Sequence, residues 1–232
     1  MFRGSETVVA VSLWERILVW VAFPVLGAGA AWLLYAVADW VVSLPWAPFQ
    51  GPFKLVASFP DPQGTIGALV VGAGAGLVLA FLAAQERLTV TVSDDQITIE
   101  RGGSSRVLKR ASISAVFLDR KQLVLLSPTS AEVVREASDL NANHLTSALR
   151  THGYPWLADG DPYNDTYRRW VEDTPEIAGH ANALLKARAR ALDKSDDDET
   201  AQLRTELANL GIVVRDEKKR QYWRHTEPTY KL

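Results

Sequence analysis

No cysteine occurs among the 232 residues. That absence excludes disulfides, thiol nucleophiles and cysteine zinc sites at once, although it leaves the redox compartment open. Histidine is nearly as scarce. His144, His152, His180 and His225 stand in no paired metal-ligand spacing and beside no serine nucleophile motif, and each reads as a surface residue. No phosphate-binding loop follows a strand pattern. The acids Asp196, Asp197 and Asp198 read as a loop and helix cap rather than a cation site. Without nucleophile, metal set or phosphate loop, no catalytic constellation forms. The expectation is a protein that is not an enzyme, with no cofactor and no metal.

Charge is missing from the first third. Up to Gln85 the only basic residues are Arg3, Arg16 and Lys54, and the only acids are Glu6, Glu15, Asp39 and Asp61. From Glu86 onward, charges are dense and nearly balanced in sign. Two uncharged apolar runs fill the poor region, Ile17 to Ala38 and Gly64 to Gln85. About 20 helical residues cross the hydrocarbon core of a bilayer, so each run is long enough to span. The first is too long for a signal peptide, and a second follows it. Pro24 falls inside the first, where a membrane helix tolerates it.

The segment between the runs is broken by Pro45, Pro48, Pro60 and Pro62. It carries Trp40, Trp46, Phe49, Phe53 and Phe59, rings suited to a membrane–water interface, with Trp14 and Trp20 on the other side. Asp39 beside Trp40 reads as an interfacial residue. Basic residues are few in that loop and frequent after the second run, at Arg87, Arg101, Arg106, Lys109 and Arg110. By the positive-inside rule both termini are expected in the cytoplasm, at a bacterial inner membrane. The string Gly72-Ala73-Gly74-Ala75-Gly76 lies mid-run with no strand before it. Gly72 and Gly76, four apart, are therefore candidates for close helix packing, with Gly27 and Gly29 as small surfaces on the first helix. Pairing within one chain and pairing between copies both remain open.

From Arg87 the period shortens to two. Leu88 to Val92, Gln96 to Glu100, Arg106 to Leu108, Ile113 to Leu118, Gln122 to Leu126 and Glu132 to Glu136 read as about six antiparallel strands, with Gly102-Gly103 as a hairpin signal. Asn141 to Arg150 has Leu145, Ala148 and Leu149 at helical spacing, stopped by Gly153. Strands closed by one helix is the order of a pleckstrin-homology-like barrel. The two apolar helices, the block opening Glu86-Arg87-Leu88-Thr89-Val90, and Gly153-Tyr154-Pro155-Trp156 together resemble the YqeB family of bacterial membrane proteins. That resemblance implies a bacterial pleckstrin-homology-like (PH-like) domain in the middle of the chain. Arg101, Arg106, Lys109, Arg110, Arg120 and Lys121 are either a basic face toward anionic lipid or hairpin charges balanced by Asp94, Asp95, Glu100 and Asp119.

After a turn at Asp159 to Pro162, a helix is expected from Pro162 to Trp170 and another from Pro175. A third carries Leu203, Leu207 and Leu210, and a strand at Ile212 to Val214 pairs with Tyr222-Trp223-Arg224. The run Leu203 to Asp216, including Leu210-Gly211-Ile212-Val213-Val214, followed by Tyr222-Trp223-Arg224, resembles the C-terminal domain of bacterial cysteinyl-tRNA synthetases. It departs from that pattern at Ala201, where an acid is usual. The rest of such an enzyme is missing, so aminoacylation is not implied. Arg204, Arg215, Lys218, Lys219, Arg220 and Arg224 gather near the hairpin with Trp223 among them. Cations neutralise phosphates and aromatic rings stack on unpaired bases, so these residues are candidates for contact with RNA or a partner. Equally, Trp223 is placed to close the hairpin as core over Leu207 and Leu210.

The fold expected is a membrane α-helical hairpin plus a soluble α+β portion. The hairpin covers 13–85, with helices at about 14–43 and 63–85. A PH-like antiparallel barrel covers 86–156, and a small helical module with a terminal β-hairpin covers 162–232. The function expected is a membrane-tethered binding or scaffold protein. The alternative is a membrane-anchored RNA- or tRNA-binding protein acting through its C-terminal module. The partners expected are the lipid bilayer, a protein, RNA under the alternative, and a second copy of the chain.

Overall fold

The computed structural model describes residues 6–44, 51 and 58–226. Contacts divide the chain into two units, one of residues 10–89 with 100–105, the other of 1–9, 90–99 and 106–232.

In the first unit the two apolar runs are helices. Helix α1 spans Leu13–Ala36, and the Ser12 Oγ accepts from the Glu15 N–H at its start. After a break at Val37, α2 covers Ala38–Ser43. Helix α3 spans Gln63–Gln85. α1 and α3 pack through glycine. A Cβ on Gly27 would lie 2.2 Å from the Gly72 carbonyl oxygen, and one on Gly76 would lie 2.2 Å from that of Phe23, so both backbones approach as only small residues permit. Gly29 faces open space and takes no part. At the far end the Tyr35 hydroxyl donates to the Phe59 carbonyl and to Asp61, which also accepts from Thr65. Apart from that seam the pair is uncovered. α1 has no buried residue, and α3 buries only Gly64, Gly72, Gly76 and Ala80. Leu18, Val25, Leu26, Leu33, Val70, Val71, Val78 and Leu82 are all exposed. Trp40 and Phe59 are exposed too, while Trp46, Phe49, Phe53, Lys54 and the Asp39 side chain lie outside the described residues.

Alternation builds the strand-rich part. β2 (Thr89–Val92), β3 (Gln96–Arg101) and β4 (Ser104–Lys109) carry Val90, Val92, Ile97 and Ile99 inward. A short strand β1 (Thr7–Val9), below the length at which periodicity is readable, adds antiparallel to β2, giving the order β1-β2-β3-β4. β5 (Ala115–Asp119), β6 (Gln122–Leu126) and β7 (Glu132–Ala137) form a second, antiparallel sheet. Its Phe117, Val124 and Leu126 pack with Leu157 and Tyr163. The helical turn Arg110–Ser112 interrupts the chain between β4 and β5. Among the described residues no ladder joins the two sheets, so the strands stand as two sheets and not as one closed barrel. Helix α4 (Ala142–Thr151) buries Leu145, Ala148 and Leu149. Its N-terminus is capped by the Asn141 side chain, and Gly153, at φ 67°, follows its end.

The C-terminal module has α5 (Gly179–Lys194) and α6 (Asp197–Asn209) against a sheet ordered β8-β10-β9. Its strands are β8 (Arg168–Arg169), β9 (Ile212–Glu217) and β10 (Arg220–His225). Ile177, Ala181, Leu185, Leu207, Ile212, Val214 and Trp223 form its core. Two expectations are corrected here. Pro162 to Trp170 is no helix but a turn at Asn164–Thr166 followed by β8. The Asp161 carboxylate accepts the Tyr163 N–H and the Thr166 hydroxyl donates to the Tyr163 carbonyl, local bonds that compete with helix. The next helix begins at Gly179, not Pro175, because the Asn182 amide binds the Thr174 and Ile177 carbonyls and holds that stretch as a turn.

Candidate functional site: the polar seam of the C-terminal module

Burying a guanidinium demands acceptors for its donors, and Arg188 on α5 has no exposed surface. Its fork grips Asp216 of β9 with two 2.6 Å bonds, and it also donates to Gln221 Oε1 at 2.8 Å and to the Thr200 carbonyl at 3.3 Å. Gln221 in turn donates to the Leu185 carbonyl. From α6, Arg204 reaches the same carboxylate at 3.1 Å and the Val214 carbonyl at 3.1 Å. Burial alone would raise the Asp216 carboxyl. The Arg188 bonds and charge, with the Arg204 charge, outweigh it and hold that carboxyl below the ordinary range. Arg204 is lowered, first by burial and then by the neighbouring Arg188 charge, against which Glu132 and Asp216 act.

The same network crosses to the PH-like sheet. Glu132 on β7 lies 3.6 Å from Arg204 and accepts two bonds from Arg135, which also binds Asp119 at 2.8 Å and Gln122 at 2.7 Å. Burial disfavours the Arg135 charge, but these carboxylates more than offset it and raise its pKa. Arg224 of β10 donates to the Ser130 carbonyl at 2.7 Å and stacks over the rings of Tyr163 and Tyr167. Arg215 lies 4.4 Å over the Tyr167 ring and bonds Asn164. Burial, then Glu132 and Asp161, raise the Tyr167 phenol, keeping it neutral.

The seven residues singled out near the hairpin therefore separate. Trp223 is core, 3% exposed, packed with Leu207, while Leu210 is exposed. Arg204, Arg215 and Arg224 bind groups of this chain. Lys218, Lys219 and Arg220 stand exposed at the tip of the β9–β10 hairpin, where both lysines have positive φ and the Lys219 ammonium reaches the Asp193 carbonyl. The β5–β6 tip meets this hairpin, since Arg120 bonds Glu217 at 2.7 Å. A groove of about 480 Å³ runs beside β10, lined by Tyr163, Thr166, Arg168, Glu176, Trp223, Arg224 and His225. The Trp223 Nε1–H, buried beside it, has no acceptor among the described residues.

A second polar cluster was not legible. His152, expected at the surface, has a side chain only 1% exposed. Its Nδ1 lies 2.6 Å from Asp94 and its Nε2 2.9 Å from the Thr7 hydroxyl, while Arg110 donates to the His152 and Gly153 carbonyls. This bracket ties β1 to the β2–β3 turn through the end of α4. Nothing in the local sequence marks His152, because its partners lie 58 and 145 residues away. Among the described residues no three His, Asp or Glu side chains converge as a metal site requires.

Comparison with known proteins covers almost the whole chain. The YqeB-like bacterial PH domain family matches residues 7–157, and the cysteinyl-tRNA ligase anticodon binding domain matches residues 174–224. A protein of Bacillus subtilis (strain 168), named Uncharacterized protein YqeB, is 37% identical over 223 residues, which are 96% of this chain and 93% of that protein. No solved structure matches. A PH-like domain of two sheets and a helix, preceded by two long apolar helices and followed by an anticodon-binding-like module, joins with that identity to one conclusion: the chain belongs to the YqeB family.

Proposed function

We propose that this chain is a membrane-tethered binding or scaffold protein and not an enzyme, held in a bacterial inner membrane by α1 and α3 with both ends in the cytoplasm. The observation that carries this reading is the uncovered surface of the helix pair. Leu, Val and Trp side chains stand exposed around α1 and α3, a contiguous apolar area that a water-soluble protein does not leave open. Glycine packing between the two suits a lipid environment, where close approach of backbones replaces the hydrophobic drive. On this reading the PH-like domain over 86–156 and the module over 162–232 act at the membrane face, the first toward lipid or protein, the second as an interaction surface. The partner chemistry favoured is a cytoplasmic protein, and the glycine seam is used within one chain. Protease treatment of right-side-out and inverted vesicles, following a C-terminal tag, tests the placement. Digestion only in inverted vesicles supports it, and digestion only from outside overturns it.

A second reading has its own support. The hairpin tip with Lys218, Lys219 and Arg220, and the groove beside Trp223 with Arg168 and His225, put cations and aromatic rings on one module. That module matches a domain described as anticodon binding. RNA bound there would be released steeply by salt, since phosphate contacts free counterions. Filter binding of tRNA to the detergent-solubilised chain at low salt tests this, and no retention overturns it.

A further inference from the structure

Two hairpin tips, one from the PH-like domain and one from the C-terminal module, lie side by side. In the β5–β6 hairpin Asp119 pairs with Gln122, which leaves Arg120 and Lys121 as a two-residue loop. In the β9–β10 hairpin Glu217 pairs with Arg220, which leaves Lys218 and Lys219. The Arg120 guanidinium donates to Glu217 at 2.7 Å and joins the tips. All four loop residues are exposed cations, and exposed Arg220 adds a fifth. Turn chemistry makes this composition unusual. Two-residue loops place backbone at positive φ, where glycine or asparagine is the ordinary occupant. Here Arg120, Lys218 and Lys219 stand there instead, at φ of 57°, 49° and 64°. The turns would form with less strain without these side chains. Cations kept at a conformational cost point to a use outside the turn itself.

We propose that the paired tips dock on the anionic headgroups of the cytoplasmic leaflet. The inference deepens the membrane-tethered reading and rests on it. A chain anchored by α1 and α3 keeps its remaining residues at high local concentration beside a bilayer, so weak contacts suffice. Each cation near an anionic surface strengthens binding about fivefold. The acids close by do not cancel the patch. The Ser138 N–H on the Lys121 carbonyl brings exposed Asp139 near, and the Lys219 ammonium on the Asp193 carbonyl brings Asp193 together with Lys194. Glu217 is shared by Arg120 and Arg215. Cations still outnumber acids there. Asp196 caps α6, and Asp197, Asp198 and Glu199 answer the dipole of its first turn. The form of the patch favours lipid over RNA. Reading unpaired bases takes ring platforms, and none of the four loop positions carries an aromatic ring. Lysine ammonium groups on flexible stems reach headgroups that hold no fixed register.

The test uses the full chain in nanodiscs of phosphatidylcholine, with and without a share of phosphatidylglycerol. Lysines are acetylated by a short reagent pulse and read by peptide mass spectrometry. Phosphatidylglycerol is expected to slow the reaction of Lys121, Lys218 and Lys219 about fivefold and to leave Lys186, on α5, unchanged. Salt at about 0.5 M, where the screening length is about 4 Å, is expected to erase the difference. Lys218→Asn with Lys219→Gly gives the β9–β10 loop an ordinary type I′ composition, so it tests the charges without threatening the fold. This variant is expected to melt at or above the wild-type temperature, while its Lys121 becomes protected less than about twofold. Full protection of Lys121 in the variant overturns the docking surface. Equal labelling of wild type in the two lipids, in a chain that does enter nanodiscs, overturns the docking surface alone. Protection of the tips by tRNA in phosphatidylcholine nanodiscs, with none from phosphatidylglycerol, assigns the patch to nucleic acid and overturns the lipid reading. A chain that stays soluble without detergent overturns the tether and the docking surface together.

Discussion

An arginine with no exposed surface is stable only where every neighbour is arranged for it. Arg188 sits between two Asp216 oxygens, Gln221 and the Thr200 carbonyl, and removing it leaves a carboxylate that is only about a quarter exposed with the single, longer Arg204 bond. Breaking a buried pair from one side costs about 3–5 kcal/mol, so Arg188→Met is expected to lower the urea midpoint of the C-terminal module sharply. The same pair sets an acid limb. The unfolded chain takes up a proton on Asp216 near pH ~3.9, whereas the folded chain holds that carboxyl ionised to lower pH. Its contribution is therefore complete above that value and lost as pH falls toward the folded one. Urea midpoints measured from neutral pH down to about pH 3 should fall less steeply in Asp216→Asn, which is weaker throughout but lacks this titration. His152 likewise depends on partners brought in from distant segments. His152→Ala removes bonds to Thr7 and Asp94, and about 1–3 kcal/mol of local stability with them, read as faster amide exchange at Thr7 to Val9. Neither residue announces itself in the sequence. Arg188 stands in an Arg-rich helix beside Arg190, and only the three-dimensional position of Asp216 distinguishes it.

At the scale of elements, period and punctuation were the readable part. The uncharged runs became α1 and α3, the Gly102-Gly103 signal became the β3–β4 turn, and Gly211, at φ 73°, marks the end of α6. What failed was the stretch from Pro162 to Gly179, where Asp161, Thr166 and Asn182 bond the backbone locally and override a weak helical pattern. The division of the strands into two sheets was likewise hidden, since alternation reports a strand's faces and not its neighbour. The glycine seam gives a matched pair of substitutions. A Cβ on Gly72 would stand 2.3 Å from the Gly27 carbonyl oxygen, a backbone atom that cannot yield without parting the helices. Gly72→Ala is expected to cost about 1–3 kcal/mol in helix association. Gly74, two residues on, meets nothing within 4 Å, and Gly74→Ala is expected to be neutral or stabilising by about 0.5–1 kcal/mol. Thermal melts in detergent followed by circular dichroism separate the two. Equal effects would mean that α1 and α3 do not pack along this seam.

Over the whole molecule, the cations gathered near the terminal hairpin have two fates, and the difference decides how the C-terminal module is held. Arg204 and Arg224 reach Glu132, Ser130 and the Tyr163 and Tyr167 rings, all of them outside the module's own core. Arg120 also bridges the two parts, to Glu217, but its side chain is 64% exposed. An exposed pair contributes at most about 1 kcal/mol and is screened by salt, whereas each buried donor to an acceptor in a dry seam is worth about 1–3 kcal/mol. The seam, not the surface bridge, should therefore dock the module. Arg224→Ala with Arg204→Ala is expected to free it, seen as rapid protease cleavage between Asp159 and Thr174 while the PH-like fragment stays intact. Arg120→Ala should leave that cleavage at the wild-type rate, and added salt should change neither by more than a small factor. If Arg120→Ala opened the linker as readily as the double variant, docking would be electrostatic at the surface, and the buried stacking of Arg224 on two tyrosines would be packing within an already fixed arrangement.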